Sequence, residues 1–174
     1  MWGKKKAAML EAGGRAPSFE LKSLAGEKRS LEDILAKGPA LLAFYKVSCP
    51  VCQLAFPYLE RLSAGSSLQI VGISQDDDRS TQGFNQRFGV TFPTLLDQSK
   101  ENYPASNSYG ITSVPSLFLV EKDGGIAQAF SGFSKRDLEA VGERAGVKPF
   151  RQRGAAVPAP SHEAIAMAIF APVV

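Results

Sequence analysis

Apolar and polar residues alternate in blocks along the chain, and these blocks predict a regular succession of strands and helices. Two near-continuous apolar runs, residues 40–46 (ALLAFYK) and 68–74 (LQIVGIS), are typical of strands buried on both faces of a sheet. Segments 50–62 and 78–88 instead place their apolar residues three and four positions apart, which predicts helices. Strands that alternate with helices in this way indicate an α/β domain.

Shorter signals complete the predicted order of elements. Ser30 and Ser134 are residue types that cap helix starts, and the KDGG turn at 122–125 predicts a hairpin. The further elements that we predict are a strand over 17–21, a helix beginning at Ser30, an extended piece over 92–96, a helix-like piece over 99–109, hairpin strands over 116–121 and 126–130, and a helix over 134–145. The order β-α-β-α-β-α-β-β-α, after a β-rich extension, predicts a sheet with helices on both faces.

The composition fits one soluble domain with some chain to spare. The chain has 174 residues, of which 44% are hydrophobic and 21% charged. We place an N-terminal tail at 1–15, the domain at 16–147 and a C-terminal tail at 148–174, linker-like at first and then apolar. That apolar end is too short to span a bilayer, which needs about 20 apolar residues.

Charge excludes some classes of function. The net charge is +3, and much of the basic excess lies near the two ends. No basic stripe interleaved with aromatics is present, so we expect no nucleic-acid partner. The apolar run near the N-terminus is broken at Glu11 and does not resemble a secretory signal, which predicts a cytoplasmic protein. If an export signal or anchor has been removed, the location would be periplasmic or otherwise extracytoplasmic.

The chain has only two cysteines, and both lie at a predicted strand-to-helix junction. Cys49 would sit near the helix N-cap, where unpaired backbone N–H groups favour a thiolate. Cys52 follows one turn later, close enough to form a disulfide. Pro50 suits the first helical turn because its missing N–H would have no partner there. The spacing therefore predicts an attacking thiolate with a shielded resolving thiol behind it.

A metal site and a chance pairing are the alternatives to a redox couple. Zinc needs four ligands, and the one histidine, His162, lies in the tail. A metal site would thus require a second chain that donates its own cysteine pair. The two cysteines close too short a loop for stabilisation to be the main purpose of a disulfide. We favour the redox couple, with no metal or organic cofactor.

The motifs resemble the thioredoxin superfamily, and more closely the thioredoxin-like thiol–disulfide oxidoreductases of the TlpA/ResA type, which are grouped with the redoxin and AhpC/TSA families. The resemblance covers about residues 17–146. Its segments are APSFEL at 16–21, CPVCQLAFPYLERL at 49–62 (similar to CxPC-x-x-E-x-P-x-L), VGISQDDDRSTQGFNQRFGVTFPTLLD at 71–97 and YGITSVPSLFLVEKDGGI at 109–126 (similar to YGVxxxPTTFLIDxxGxI). It implies a thioredoxin-like fold with a central mixed sheet.

The same resemblance implies the roles of individual residues. The first cysteine of the family is the nucleophile, which matches Cys49, and the second resolves the mixed disulfide, which matches Cys52. The family's cis-proline matches Pro115. A proline there would leave the backbone of Val114 free to pair with an extended substrate, beside Pro50.

Several positions depart from the family pattern. Ser48 stands where the family commonly has Trp, and Ala43 stands where thioredoxin has a buried Asp. Asp76 falls where some relatives place an acidic residue near the thiols, but we interpret it as part of a solvated loop that caps a helix. We expect Lys46 to face solvent at the strand end.

We therefore predict a monomeric enzyme that exchanges disulfides with protein or low-molecular-weight thiol substrates and receives electrons from an upstream donor. The Pro-Val dipeptide lacks the His found between the cysteines of strong oxidants, which favours a reductant. One alternative is an antioxidant peroxidase of the peroxiredoxin kind, although neither cysteine fits its P-x-x-x-T-x-x-C frame. A second is a non-catalytic dimer that binds metal through paired C-x-x-C motifs.

Overall fold

A computed structural model describes residues 8–150 of the chain. Within that range, strands and helices follow the order β1 β2 α1 β3 α2 β4 α3 β5 α4 β6 β7 α5. Their bounds are β1 Glu20–Ser23, β2 Lys28–Ser30, α1 Leu31–Leu35, β3 Ala40–Tyr45, α2 Pro50–Gly65, β4 Gln69–Ser74, α3 Asp78–Phe88, β5 Thr94–Leu96, α4 Pro104–Ser108, β6 Ser116–Val120, β7 Ile126–Ser131 and α5 Lys135–Ala145.

The strands form one mixed sheet with β3 near its centre. The spatial order is β2-β1-β5-β4-β3-β6-β7. β3 pairs in parallel with β4 and antiparallel with β6, and β4 pairs in parallel with β5. All six residues of β3 are buried, as its near-continuous apolar sequence predicts. The chain therefore leaves the centre of the sheet immediately before it reaches the cysteines.

Alternate side chains of β3 belong to two separate hydrophobic cores. Leu42 and Phe44 pack in the core that also contains residues of α1 and α4. Leu41 and Tyr45 pack in the core that contains residues of α2, α3 and α5. Successive side chains of a strand point to opposite faces of the sheet, so the two cores lie on its two sides. The predicted α/β fold with helices on both faces of a mixed sheet is confirmed.

The structure corrects two of the predicted elements. The first strand begins at Glu20, later than residue 17. The helix-like piece predicted over 99–109 divides into a 3₁₀ turn, Ser99–Glu101, and the short helix α4. Asn102 and Tyr103, with φ of 60° and 47°, separate the two parts. Pro104 disfavours a right-handed helical conformation at the residue before it, which explains why the helix cannot run through this point.

The described parts of both predicted tails contact the domain. Gly13 donates its backbone N–H to the carbonyl of Ile126 at 2.9 Å. At the other end, the ring of Phe150 lies 4.7 Å from that of Tyr58 in α2. The boundaries at 15/16 and 147/148 stay predictions, and the apolar C-terminal end lies outside the described residues. None of the helices described within 8–150 has the length and apolar character needed to cross a bilayer.

Candidate active site

Cys49 ends the loop that leads from the central strand β3 into α2. It is the N-cap residue of α2, with an extended backbone, and Pro50 occupies the first helical position. The N–H of Cys52 donates to the Sγ atom of Cys49 at 3.2 Å. The predicted placement at the helix start is therefore confirmed. A free helical amide directed at a sulfur atom stabilises negative charge on it.

Cys52 has the opposite environment. Its side chain is fully buried in the core beneath α2, whereas Cys49 is only half-buried. Burial is the main cause that raises the pKa of the Cys52 thiol well above its usual range, and the neighbouring Cys49 adds to the shift. Both thiols are free. One accessible sulfur thus lies beside one shielded, protonated sulfur.

The segment before β6 brings Val114 and Pro115 to the thiol pair. The peptide bond between these residues is cis, as the resemblance implies, and Pro115 is buried. The Sγ atom of Cys49 lies 3.4 Å from the carbonyl oxygen of Val114, to which the thiol donates. The structure therefore brings together the predicted site residues Cys49, Cys52, Val114, Pro115 and Pro50.

Two kinds of surface adjoin the thiols. An open cavity of about 190 Å³ beside Val114 combines polar and apolar side chains; it is lined by Lys46, Gln75, Ile111, Thr112, Ser113 and Val114. The first turns of α2 instead expose apolar side chains, with Val51 40% and Leu54 52% accessible.

The loop 76–78 caps a helix as predicted, but Asp76 itself is neither the capping residue nor fully solvated. The N-cap of α3 is Asp77, whose carboxylate accepts the N–H of Ser80 at 2.8 Å. Asp76 is half-buried, and its Oδ2 accepts the N–H of Val47 at 2.8 Å. The pairing of β3 with β4 continues past the strand ends, because Gln75 donates to the carbonyl of Tyr45, and this carries Asp76 to the loop before Cys49.

Sequence reasoning also missed Gln53. Its Nε2 donates to the carbonyl of Val47 at 3.0 Å, so it contacts the same residue as Asp76. The position of Gln53 directly after Cys52 was the only available signal. Lys46, expected to face solvent, is half-buried and lines the cavity beside Val114.

The site has few groups that could hold a metal ion. Within residues 8–150 no cluster of three or more His, Cys, Asp or Glu side chains is suited to metal binding. Two thiols leave a zinc ion two ligands short. A metal-bound form would need ligands from elsewhere, as the sequence predicts for a dimer.

Comparison with known proteins decides the class of this site. The AhpC/TSA family profile matches residues 12–129. The chain belongs to the AhpC/TSA family. Thiol-disulfide oxidoreductase ResA from Geobacillus kaustophilus is 30% identical over 135 residues, which are 75% of this chain and 75% of ResA.

Solved structures of oxidoreductases share the fold. The thioredoxin domain of a thiol-disulfide oxidoreductase from Bacteroides vulgatus superposes with a TM-score of 0.68 at 24% identity, over 78% of this chain and 97% of that domain. A secreted disulfide oxidoreductase from Mycobacterium tuberculosis, homologous to DsbE, gives a TM-score of 0.60 at 22% identity, over 74% and 94% of the two chains. The fold is thioredoxin-like, and this AhpC/TSA-family chain is a thiol–disulfide oxidoreductase of the ResA type.

Proposed function

We propose that this oxidoreductase reduces disulfides of other proteins through attack by Cys49 and resolution by Cys52. The observation that carries the proposal is the contrast between a half-buried Cys49, whose sulfur accepts a helix N–H, and a fully buried Cys52 directly behind it. The Cys49 thiolate attacks one sulfur of a substrate disulfide and expels the other as a thiolate, which takes up a proton. Cys52 then loses its proton and attacks Cys49, which releases the second substrate thiol and leaves a Cys49–Cys52 disulfide.

Substrate docking uses the segment beside the thiols. Val114 lies at the mouth of the cavity next to Cys49, with its carbonyl directed at the attacking sulfur. An extended peptide that carries a disulfide can pair with this backbone as an added strand, with Pro115 behind it and Pro50 at the facing helix start. Low-molecular-weight disulfides would reach Cys49 without this pairing and would react more slowly.

The direction of exchange follows from the residues between the cysteines. Pro50 and Val51 place no cationic side chain between the two sulfurs, so the thiolate of the reduced form lacks the added stabilisation that such a charge would provide. An upstream thiol donor must then reduce the Cys49–Cys52 disulfide after each turnover. We propose that the protein acts as a monomer in this scheme.

We place this activity outside the cytoplasm. The disulfide oxidoreductase from Mycobacterium tuberculosis that shares this fold is a secreted protein, which supports an extracytoplasmic location over the cytoplasmic one expected from the N-terminal sequence. Fractionation of cells that express the full-length gene tests this location: the protein should appear in the extracytoplasmic or membrane fraction, and recovery in the cytosol alone would contradict it.

The equilibrium reduction potential of the Cys49–Cys52 pair tests the proposed direction. We expect a value below about −220 mV, toward thioredoxin at about −270 mV, together with catalysed reduction of insulin disulfides. A value near that of DsbA, about −120 mV, would make the protein an oxidant instead.

Two assays on the same preparation distinguish the alternative classes. Rapid peroxide consumption in stopped-flow measurements would favour a peroxidase. Stoichiometric metal without disulfide turnover would favour the metal-binding dimer.

A further inference from the structure

The loop between β3 and α2 is held at one residue, Val47, from two directions. The carboxylate of Asp76 accepts the Val47 N–H at 2.8 Å, and the side-chain amide of Gln53 donates to the Val47 carbonyl at 3.0 Å. Both distances are those of well-formed hydrogen bonds. Because the two contacts engage the peptide groups on either side of one α-carbon, Val47 cannot rotate without breaking at least one of them.

The two holding groups come from different parts of the fold. Gln53 belongs to the first turn of α2, immediately after Cys52. Asp76 follows β4, and its own N–H donates to the hydroxyl of Ser74 at 3.2 Å. That hydroxyl is buried and shares a 2.7 Å hydrogen bond with Thr81 of α3. A buried polar contact between β4 and α3 therefore fixes the backbone that presents the Asp76 carboxylate.

Val47 lies inside the turn that positions the attacking sulfur. The N–H of Cys49 donates to the carbonyl of Lys46 at 3.2 Å, so the turn closes around Val47 and Ser48. Rotation at Val47 would displace the Cys49 sulfur from the Cys52 N–H, which stabilises its thiolate, and from its position beside Val114. A displacement of even about 1 Å at a reacting atom is costly in rate.

We propose that Asp76 and Gln53 form a clamp on Val47 that holds Cys49 in its attacking geometry, which makes both side chains positioning residues for thiol–disulfide exchange. The inference rests on the proposed role of Cys49 as the attacking thiol. The hydrogen bond from Val47 to a carboxylate is charge-assisted, so Asp76 is the stronger half of the clamp.

The negative charge of Asp76 has an effect that must be separated from the clamp. It contributes, after burial and Cys49, to the raised pKa of Cys52. The charged groups that share the adjoining cavity with Asp76 are Lys46, Asp77, Asp78 and Lys100. In a variant that lacks the Cys52 thiol, Asp76 cannot act through the pKa of Cys52. Any remaining effect of Asp76 then acts on the first step alone, the attack by Cys49.

The test measures capture of a peptide disulfide by Cys49 in a Cys52→Ser background, as a second-order rate at fixed pH. Asp76→Ala should slow capture about tenfold, the equilibrium value of one charge-assisted hydrogen bond. Asp76→Asn, whose side-chain carbonyl can still accept the Val47 N–H, should stay within about threefold of the parent. Asp77→Asn removes the same charge from the neighbouring residue, away from Val47, and should leave the rate unchanged.

Gln53→Ala tests the clamp from its other side and covers the case in which Asp76→Ala fails to fold. It should slow capture less than Asp76→Ala. The double variant should be faster than the product of the single effects predicts, because both act on one residue.

Each contrary result has a distinct meaning. Equally slowed capture by Asp76→Asn and Asp76→Ala would replace the clamp with a charge effect. Capture by Asp76→Ala at the parent rate would overturn the clamp. A double variant whose loss of rate equals the product of the two single losses would also overturn it. Absence of capture in the parent background would overturn the proposed role of Cys49, and the clamp with it.

Discussion

Two cysteines three positions apart acquire different chemistry because one precedes a helix and the other lies inside it. At the N-cap, the Cys49 sulfur accepts a backbone N–H that has no partner within the helix. One turn later, Cys52 faces the core and loses contact with water. The sequence predicts this division of roles, because a buried strand followed by C-P-V-C places the first thiol at the helix start.

The burial of Cys52 makes its step dependent on pH. Its pKa is raised well above the usual range, so at neutral pH only a small fraction is thiolate. Below that pKa the thiolate fraction rises about tenfold per pH unit, and release of substrate from the mixed disulfide should accelerate with pH from 6 to 9. Single-turnover release of a labelled peptide measures this slope. A rate that levels off near pH 7 would contradict the shielded state of Cys52.

The clamp on Val47 shows what the sequence could not predict at this scale. Asp76 is 29 positions from Val47 along the chain. The extent of the β3–β4 pairing decides whether Asp76 caps α3 or turns toward the thiols. A difference of a single residue in that extent changes the outcome. Local sequence favoured the capping loop for Asp76, because three adjacent aspartates, 76–78, precede a predicted helix and each is a residue type that caps helix starts. Pairing between strands decided the result.

At the scale of elements, strong local signals gave accurate bounds and weak ones did not. The helix predicted over 78–88 has those bounds, with Asp77 as N-cap and Gly89, at φ 66°, as C-cap. The piece over 99–109 was harder to predict, because its division depends on the buried carboxylate of Asp97. That carboxylate accepts the N–H groups of Ala105 and Ser106 at 3.0 and 2.7 Å and so begins α4 by a contact from outside the helix.

Two helical glycines offer a matched test of how residues 147–149 pack on α5. A Cβ at Gly142 would lie 2.4 Å from the carbonyl oxygen of Val147 and 2.6 Å from Pro149, whereas one at Gly83 in α3 would meet nothing within 4 Å. Gly142→Ala should lower the free energy of unfolding by about 1–3 kcal/mol. Gly83→Ala should raise it by about 0.5–1 kcal/mol through helix propensity.

Urea unfolding of both variants measures the two changes in the free energy of unfolding, which should have opposite signs. If Gly142→Ala is as stable as the parent, the segment after α5 does not pack against this helix in solution.

For the whole molecule, alternating apolar strands and amphipathic helices were enough to predict the class of fold and its two-sided core. Packing of residues 8–15 and 147–150 on the domain was not predictable, because these segments carry no periodic pattern. Their contacts depend on surfaces that exist only after folding, such as the ring of Tyr58 beneath Phe150.

Three buried ionisable groups make the reduced fold sensitive to alkali. Burial raises the pKa values of Cys52, Tyr45 and Tyr109 above their ordinary values of 9.0, 10.0 and 10.0. The unfolded chain therefore loses these protons at a lower pH than the folded chain. The free energy of unfolding keeps their full contribution below about pH 9 and then falls, by at most about 1.4 kcal/mol per pH unit for each group.

Thermal unfolding of the reduced protein between pH 8 and 11 measures this loss. Tyr109→Phe should flatten the slope above pH 10, although it also removes the hydrogen bond from Tyr109 to the carbonyl of Pro17. A stability that does not change up to pH 11 would show that these groups are open to water.

The most direct test of the account is to trap the mixed disulfide. Cys52→Ser and Cys49→Ser, each fully reduced, are incubated with a peptide that contains one disulfide, and covalent adducts are counted by mass spectrometry. Cys52→Ser should retain one peptide through Cys49, and Cys49→Ser should retain none. An adduct that forms on Cys52 as readily as on Cys49, or on neither, would contradict the assignment of the more accessible thiol as the attacking group.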